Sequence, residues 1–286
     1  MNPRQRPYSP AEKFGFLALA LAALLWLIAP VLAILPLAAF LIACLLAPFF
    51  PASCFFLPVT SKGNSGQPWV CLSFDDGPNE FSTPLLLNFL RERGLAASFF
   101  VNGDKARRFP ELIGQMAADG HTIGNHSKSH DNFLMFRGLR RIVAEIDETN
   151  HILAQLGLET AIFRPPVGIV TPRYAAAIAA LGMTMVTFRR RPRDLGNRRL
   201  HGLAAGILSD IRGDDIILLH DALPRRGALA DWLAELDALV SGIGERGLQI
   251  VSLDNLLGKK IMKRQNPGAD ILSFDLLGKA TKDAMS

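Results

Sequence analysis

Trp69-Val70-Cys71-Leu72-Ser73-Phe74-Asp75-Asp76-Gly77-Pro78 starts as an apolar run and ends in two adjacent carboxylates followed by Gly-Pro. A run of this length and composition reads as a buried strand, and Gly77-Pro78 stops it at once. Carboxylates at the mouth of a strand point into a cleft. Fifty residues beyond Asp76 the chain reads His126-Ser127-Lys128-Ser129-His130. One carboxylate and two imidazoles suffice to hold a divalent ion with a position open for water, and the second carboxylate is then free to act as a base. Either half alone is a weak signal; together they read as a metal-hydrolase site.

Downstream of Trp69 the pattern alternates. Short apolar runs at Ala97–Val101, His121–Gly124, Ala161–Phe163, Met183–Phe188, Asp215–Leu219 and Leu248–Ser252 bring the predicted strands to seven. Between them lie helical patterns at Ser82–Arg93, Pro110–Asp119, Arg137–Leu156, Pro172–Leu181, Leu203–Arg212 and Ala228–Glu245. Alternating β and α elements imply a parallel sheet, with chemistry at the C-terminal ends of its strands. His220 ends such a strand in Leu218-Leu219-His220, and a histidine that titrates near neutrality is a candidate general acid there. Asp221 beside it reads as a cap for the following turn. His121, His151 and His201 read as packing or surface residues.

Four motifs occur in order: Ser73-Phe74-Asp75-Asp76-Gly77-Pro78, His126-Ser127-x-x-His130, Phe163-Arg164-Pro165-Pro166-Val167-Gly168 and Ile217-Leu218-Leu219-His220-Asp221. This series resembles that of the polysaccharide deacetylases, the NodB-homology carbohydrate esterases, across about residues 68–257. The resemblance implies an α/β fold, a distorted (β/α) barrel of about seven parallel strands. It also implies a metal on Asp76, His126 and His130, with Asp75 as base, Arg164 behind it, His220 as acid and Asp194 tuning that histidine. Zn²⁺ suits such a donor set best, with Co²⁺, Ni²⁺ or Mn²⁺ tolerated. The backbone N–H of Val167 falls at the family's oxyanion position, with Pro166 and Leu218 in the substrate wall. Two departures stand out. Val167 occupies a commonly aromatic position, and Arg191 and Leu195 replace the first aspartate and the tryptophan of a family Asp-x-x-Asp-Trp string.

The N-terminal part belongs to no such motif. From Phe14 to Leu57 no residue is charged, a stretch of 44. As one helix it would run ~66 Å, about twice the ~30 Å hydrocarbon core. It is also several times longer than a signal-peptide apolar region of about 7–15 residues. A transmembrane hairpin, approximately Phe14–Ala29 and Pro36–Phe56, fits the length; a kinked single span followed by an interfacial stretch is the other reading. Arg4, Arg6 and Lys13 hold the N-terminus in the cytoplasm, so the hairpin returns the domain to the cytoplasmic face of the inner membrane, whereas a single span exports it to the periplasmic side. The chain thus divides into a basic tail (1–13), membrane segments (14–57), a polar linker (58–68), the catalytic domain (69–258) and a basic, polar tail (259–286).

Cys44, Cys54 and Cys71 offer no disulfide framework. The chain carries a net charge of +5, and one cluster, Arg189, Arg190, Arg191 and Arg193 with Arg198 and Arg199, follows a predicted strand end where the site's mouth is expected; its guanidinium forks suit phosphates or anionic head groups. Nucleic acid is excluded as a partner by the membrane segment and the lack of interleaved aromatics. The expected partners are the lipid bilayer and an N-acylated saccharide or lipid-linked glycan. The leading reading is a membrane-anchored hydrolase that removes an N-acyl group, most simply acetyl, from an amino sugar of a glycolipid or polysaccharide precursor. O-deacetylation or deformylation of a lipid-linked substrate uses the same water attack, and an inactive glycan- or lipid-binding homologue is the alternative from another class.

Overall fold

The computed structural model describes residues 7–192, 194, 196–224 and 229–264. Arg4, Arg6, Arg193 and Leu195 lie outside the described residues, as does most of the C-terminal tail. Nine strands are present among the described residues: β1 Trp69–Gly77, β2 Ser98–Val101, β3 Thr122–Asn125, β4 Leu158–Thr160, β5 Ile162–Phe163, β6 Thr184–Met185, β7 Ile216–His220, β8 Gln249–Ile250 and β9 Met262–Arg264. Seven form one parallel sheet in the order β6-β5-β3-β2-β1-β7, with β8 beside the first residues of β1. These are the seven strands expected from the sequence.

The sheet curls toward closure. Past β6 the chain runs on beside β7, where Arg189 N–H donates to Ile216 O (3.0 Å) and Leu218 N–H to Arg190 O (2.8 Å). The Arg189–Arg190 stretch is therefore a barrel element and not a free loop at the mouth. Arg190 Nε lies 2.7 Å from Asp215 Oδ2, its Nη1 pairs with Asp210, and Arg189 Nε is 3.5 Å from Asp215 Oδ1. Acids from the β7 approach meet both guanidiniums, so neither Arg189 nor Arg190 is an uncompensated charge. Arg191 is exposed above Phe188.

Strand parity sorts the residues. Leu72 and Phe74 of β1, Phe99 of β2 and Ile217 and Leu219 of β7 face outward into one core with the helices α3 (Ser82–Glu92), α5 (Pro110–Ala118), α8 (Leu203–Leu208) and α9 (Leu229–Glu245). Their alternate neighbours Cys71, Phe100, Ile216 and Leu218 fill the barrel interior. By the same alternation Ser73, Asp75 and His220 point inward. Gly124 of β3 lies where a Cβ would stand 2.7 Å from the Phe100 ring, so the strand can carry no side chain there.

At the N-terminus α1 (Pro10–Ile28) and α2 (Ile34–Leu46), joined by a turn at Pro30–Ala33, fold back on each other, with Phe14 edge-on to Phe40 at 5.7 Å. With the turn Ala47–Phe49 they give two helical segments long and apolar enough to cross a membrane. The first begins earlier than the uncharged run because Ser9 and Glu12 form a reciprocal capping box ahead of it, with Pro10 at the first helical position. Pro36 sits inside the first turn of α2, where backbone N–H groups need no helical partner.

Both flanking segments are more structured than their composition suggests. In the expected linker, Thr60 bridges Val186 and Lys62 bridges Asp215, while the Asp214 carboxylate accepts hydrogen bonds from Ser65 and Gly66. Beyond residue 258, β9 pairs antiparallel with β4 and Ile261 is buried, so the start of the tail belongs to the folded domain. Two short helices had no sequence expectation: α4 (Gly103–Arg108) and α10 (Leu253–Leu257). The remaining two, α6 (Leu139–Gln155) and α7 (Pro172–Ala180), lie where the apolar periodicity predicts.

Candidate active site

Asp75 is positioned by parity, but Asp76 should then face outward. A register shift between Asp75 and Gly77 against β2, together with φ 72° at Asp76, turns the second carboxylate to the same side. Ser127 (68°), His130 (54°), Val167 (56°) and Asn197 (60°) share this left-handed conformation. Only Asp214 adds to these five among the described non-glycine residues, so the sparsely populated backbone geometry concentrates around one site.

Asp76, His126 and His130 each present one donor atom, all within 4.8 Å of one another. Asp76 Oδ1 stands 3.0 Å from His130 Nε2 and 3.5 Å from His126 Nε2. That oxygen is buried and receives no backbone or hydroxyl hydrogen bond. A buried anionic oxygen facing two imidazole nitrogens is the environment a divalent cation would satisfy, so the residues fit a metal. Nδ1 of His126 lies 2.8 Å from Arg164 O, a contact that places the proton on Nδ1 and leaves the Nε2 lone pair toward Asp76. Burial opposes ionisation of Asp76 most strongly, yet the two neighbouring imidazoles hold its carboxyl well below the usual range.

The loop bearing the histidines is held from α6. The buried Glu145 carboxylate accepts from Ser129 N–H (2.8 Å) and Ser129 Oγ (2.9 Å) and pairs with Arg141 (2.6 Å). Asn125 Oδ1 accepts from Ser127 N–H at 2.8 Å.

Arg164 is fully buried, stacked 3.8 Å over the Phe100 ring. Its Nη1 donates to Asp75 Oδ1 (2.6 Å) and Ser73 Oγ (2.9 Å), and its Nη2 to Thr187 O (3.0 Å). This leaves Asp75 Oδ2 directed toward His126 Nε2, at 3.7 Å. Across the β1–β7 pair, Asp75 is in register with His220. His220 Nδ1 meets Asp194 Oδ2 at 2.9 Å, so Nε2 is free to face the site. Burial disfavours the imidazolium of His220, but the hydrogen bond and charge of Asp194, with Asp75 and Asp76 beyond, raise its pKa above the ordinary histidine value. Asp194 is correspondingly depressed despite its own burial. Asn197 completes this corner, donating through its N–H to Asp194 and through Nδ2 to His220 O and Ala222 O.

Of the three expected substrate-wall residues, Pro166 and Leu218 are buried and Val167 is 47% exposed. Asp221 does not cap the turn after β7. It is buried against Gly77, where a Cβ would stand 2.3 Å from its Oδ2, and accepts hydrogen bonds from Ser82 Oγ (2.7 Å) and Thr83 Oγ1 (2.5 Å) at the start of α3. Burial pushes its carboxyl up to about 6. Asp221 thus locks the Asp75–Gly77 strand end to α3, a role its neighbourhood in sequence gives no hint of. Glu145, Ser73 and Asn197 escape sequence reasoning for the same reason: each acts on a residue distant in the chain.

A curled parallel barrel whose strand ends converge on an arginine-held carboxylate, a histidine–aspartate pair and a donor set for a divalent ion defines a barrel hydrolase. Residues 62–186 match the polysaccharide deacetylase family. A chitooligosaccharide deacetylase of Sinorhizobium fredii is 32% identical over 212 residues, covering 69% of this chain and 96% of that protein. Among solved structures, a peptidoglycan N-acetylglucosamine deacetylase, Bc1960, superposes with a TM-score of 0.65 at 26% identity, over 71% of this chain and 94% of that one. A family 4 carbohydrate esterase from Streptomyces lividans, solved with acetate, gives 0.57 at 30% identity, over 64% and 91%. The chain belongs to the polysaccharide deacetylase family, and its chitooligosaccharide and peptidoglycan deacetylase homologues are hydrolases acting on carbon–nitrogen bonds.

Proposed function

We propose that this protein is a membrane-anchored, metal-dependent N-deacetylase of saccharides containing N-acetylglucosamine, acting on a glycolipid or polysaccharide precursor. The observation that carries the reading is the convergence, within one barrel mouth, of Asp75 on Arg164, of His220 on Asp194, and of Asp76 with His126 and His130. The similarity to chitooligosaccharide and peptidoglycan deacetylases supports the saccharide acceptor.

Asp76, His126 and His130 would hold the metal, with Zn²⁺ the best match to two imidazoles and a carboxylate. When bound, the ion lowers the pKa of water and polarises the acyl oxygen. Asp75, held and oriented by Arg164, accepts the proton of the water that attacks the acyl carbon. The Val167 backbone N–H is the candidate donor to the oxygen on which charge develops. His220 then protonates the nitrogen as the carbon–nitrogen bond breaks, giving a carboxylate and a free amine, while Asp194 fixes the ring and stabilises its charged form. The two apolar helices return the chain to the side from which it entered, and Lys13, with Arg4 and Arg6, puts that side in the cytoplasm.

Acetate release from N-acetylated chitooligosaccharide by the detergent-solubilised chain tests the reading. Dialysis against EDTA abolishes release and added Zn²⁺ restores it; His130→Ala loses stoichiometric zinc in elemental analysis and activity with it. Formate release from an N-formyl sugar, with none of acetate, would reassign the acyl group. Unchanged activity after metal removal would sink the metal reading.

Asp194→Asn tests the acid. Asp194 raises the His220 pKa, so the protonated imidazole persists to higher pH in the native protein than without that carboxylate. Its removal moves the alkaline limb of the kcat/KM profile to lower pH, by about one unit. An unmoved limb would exclude His220 as the titrating acid.

A further inference from the structure

Directly after His130 the chain reads Asp131-Asn132-Phe133-Leu134-Met135-Phe136-Arg137-Gly138-Leu139-Arg140-Arg141. Leu134 and Met135 turn inward and are buried in the cluster with Leu57, Phe163 and Tyr174. Phe133 and Phe136 turn outward and are 63% and 70% exposed, with Leu139 beside them at 44%. Their exposure is built into the backbone. Arg173, on α7, donates from Nη1 to Phe136 O at 2.7 Å, and Arg137 Nε lies 2.7 Å from Asp131 Oδ2. Large apolar side chains exposed together on a held backbone mark a contact surface.

The carboxylates around them are paired, and two cations are not. Asp131 meets Arg137 and Glu145 meets Arg141, but Arg140 and Arg173 have no carboxylate partner among the described residues. Aromatic and aliphatic tips flanked by uncompensated guanidiniums are the composition of a segment lying at a bilayer surface, where rings enter the head-group boundary and arginines meet phosphates.

The position on the molecule is the independent argument. Helix α7 that holds Phe136 through Arg173 also lines, with Pro172 and Ala175, a crevice of about 420 Å³ against the base of the apolar hairpin at Glu12, Phe16 and Phe40. Pro51, just past the second membrane-length segment, comes within 3.9 Å of the Cβ position of Gly168, next to Val167 at the site's mouth. Tyr8, Phe49 and Phe50, at the hairpin's domain end, are exposed aromatics of the kind that mark a membrane boundary. Hairpin base, α7 and the 131–141 turn are therefore contiguous.

We propose that Phe133, Phe136 and Leu139, with Arg140 and Arg173, form a second, interfacial contact with an anionic bilayer, so that hairpin and turn together hold the barrel mouth against the membrane surface. This rests on the hairpin being a membrane anchor. It places the acyl-saccharide acceptor at the lipid surface, which Arg189 and Arg190, paired with Asp210 and Asp215, do not.

The full chain carrying Trp26→Phe and Phe136→Trp, reconstituted in phosphatidylcholine vesicles with phosphatidylglycerol, tests the contact. Phosphatidylcholine brominated high on its acyl chains should quench roughly half of the emission of the added tryptophan, as expected of a side chain at the head-group boundary. A tryptophan introduced by Asn88→Trp, on α3, should keep its emission. Arg140→Gln should reduce the quenching at a given phosphatidylglycerol fraction. In the unmodified chain, amide exchange across 131–141 should slow when phosphatidylglycerol is added to the vesicles. Equal quenching at both positions, or no change in exchange, overturns the proposal. So does protection of the indole introduced by Phe136→Trp by soluble chitooligosaccharide in place of lipid, which would assign the rings to glycan stacking. None of these readouts needs turnover, so a failed acetate assay and a failed membrane contact are separately visible.

Discussion

Asp75→Asn is expected to lower the turnover of acetate release by about 10²–10⁴-fold, the contribution of a positioned general base. The amide is nearly isosteric with the carboxylate and still offers an oxygen to Arg164 Nη1, now 2.6 Å from Asp75 Oδ1, so the barrel stays folded. Asp76, His126 and His130 are untouched, so zinc is retained in elemental analysis. The diagnostic result is the split itself: metal kept and turnover lost. If turnover stays within a factor of two or three of the wild type, Asp75 does not carry the proton. If zinc is lost together with turnover, Asp75 belongs to the metal set. The second outcome has a geometric basis, because Asp75 Oδ2 lies only 3.7 Å from His126 Nε2.

Arg164→Leu is expected to have the largest effect on stability. The guanidinium is fully buried and supplies donors to Asp75, Ser73 and Thr187 O. Removing one partner of a buried pair leaves the other charge uncompensated and costs about 3–5 kcal/mol. For a domain of this size that corresponds to a fall of roughly 10 °C in thermal midpoint, measured by near-ultraviolet circular dichroism in detergent. Arg164→Lys, which keeps the charge without the fork, should fall between the two. Adding Asp75→Asn to Arg164→Leu should recover part of the loss, since it removes the stranded carboxylate. If the double variant is destabilised by the sum of the two single effects, the pair is not coupled and the argument from burial fails.

Much of this molecule is legible in its sequence because the signals are local. The seven parallel strands follow from apolar runs bounded by Gly, Pro and polar residues, and their alternation with helical patterns admits few other architectures. Ser73, Asp75 and His220 face inward because a strand alternates with period two, which requires no knowledge of the fold beyond which face is buried. The candidate metal donors were legible as a set, since a carboxylate at a strand mouth and a His-x-x-x-His string carry their chemistry in their residue types.

What composition misjudged were the segments whose partners come from afar. The arginines at 189–190 look like an open cationic loop until the sheet curls and brings Asp210 and Asp215 against them. Residues 60–66 look like a free linker until Asp214 and the sheet edges take up their hydrogen bonds. Asp221 looks like a turn cap until α3 presents Ser82 and Thr83 to it. In each case a charged or polar group is read as solvated only because its counterpart lies in another element.

The sequence by itself determined the fold class, the long uncharged apolar stretch and the residue types of the site, since these rest on periodicity, run length and the chemistry of side chains. The motif resemblance already paired Asp76 with the imidazoles and Asp75 with Arg164; only the tertiary structure shows how two adjacent strand residues reach the same side. The reason is that a register shift and a left-handed backbone at Asp76 override strand alternation at that one residue. It also decided which arginines are free. Charge compensation depends on what packs within a few ångströms, and Arg140 and Arg173 stand uncompensated beside exposed phenylalanines while Arg189 and Arg190 do not.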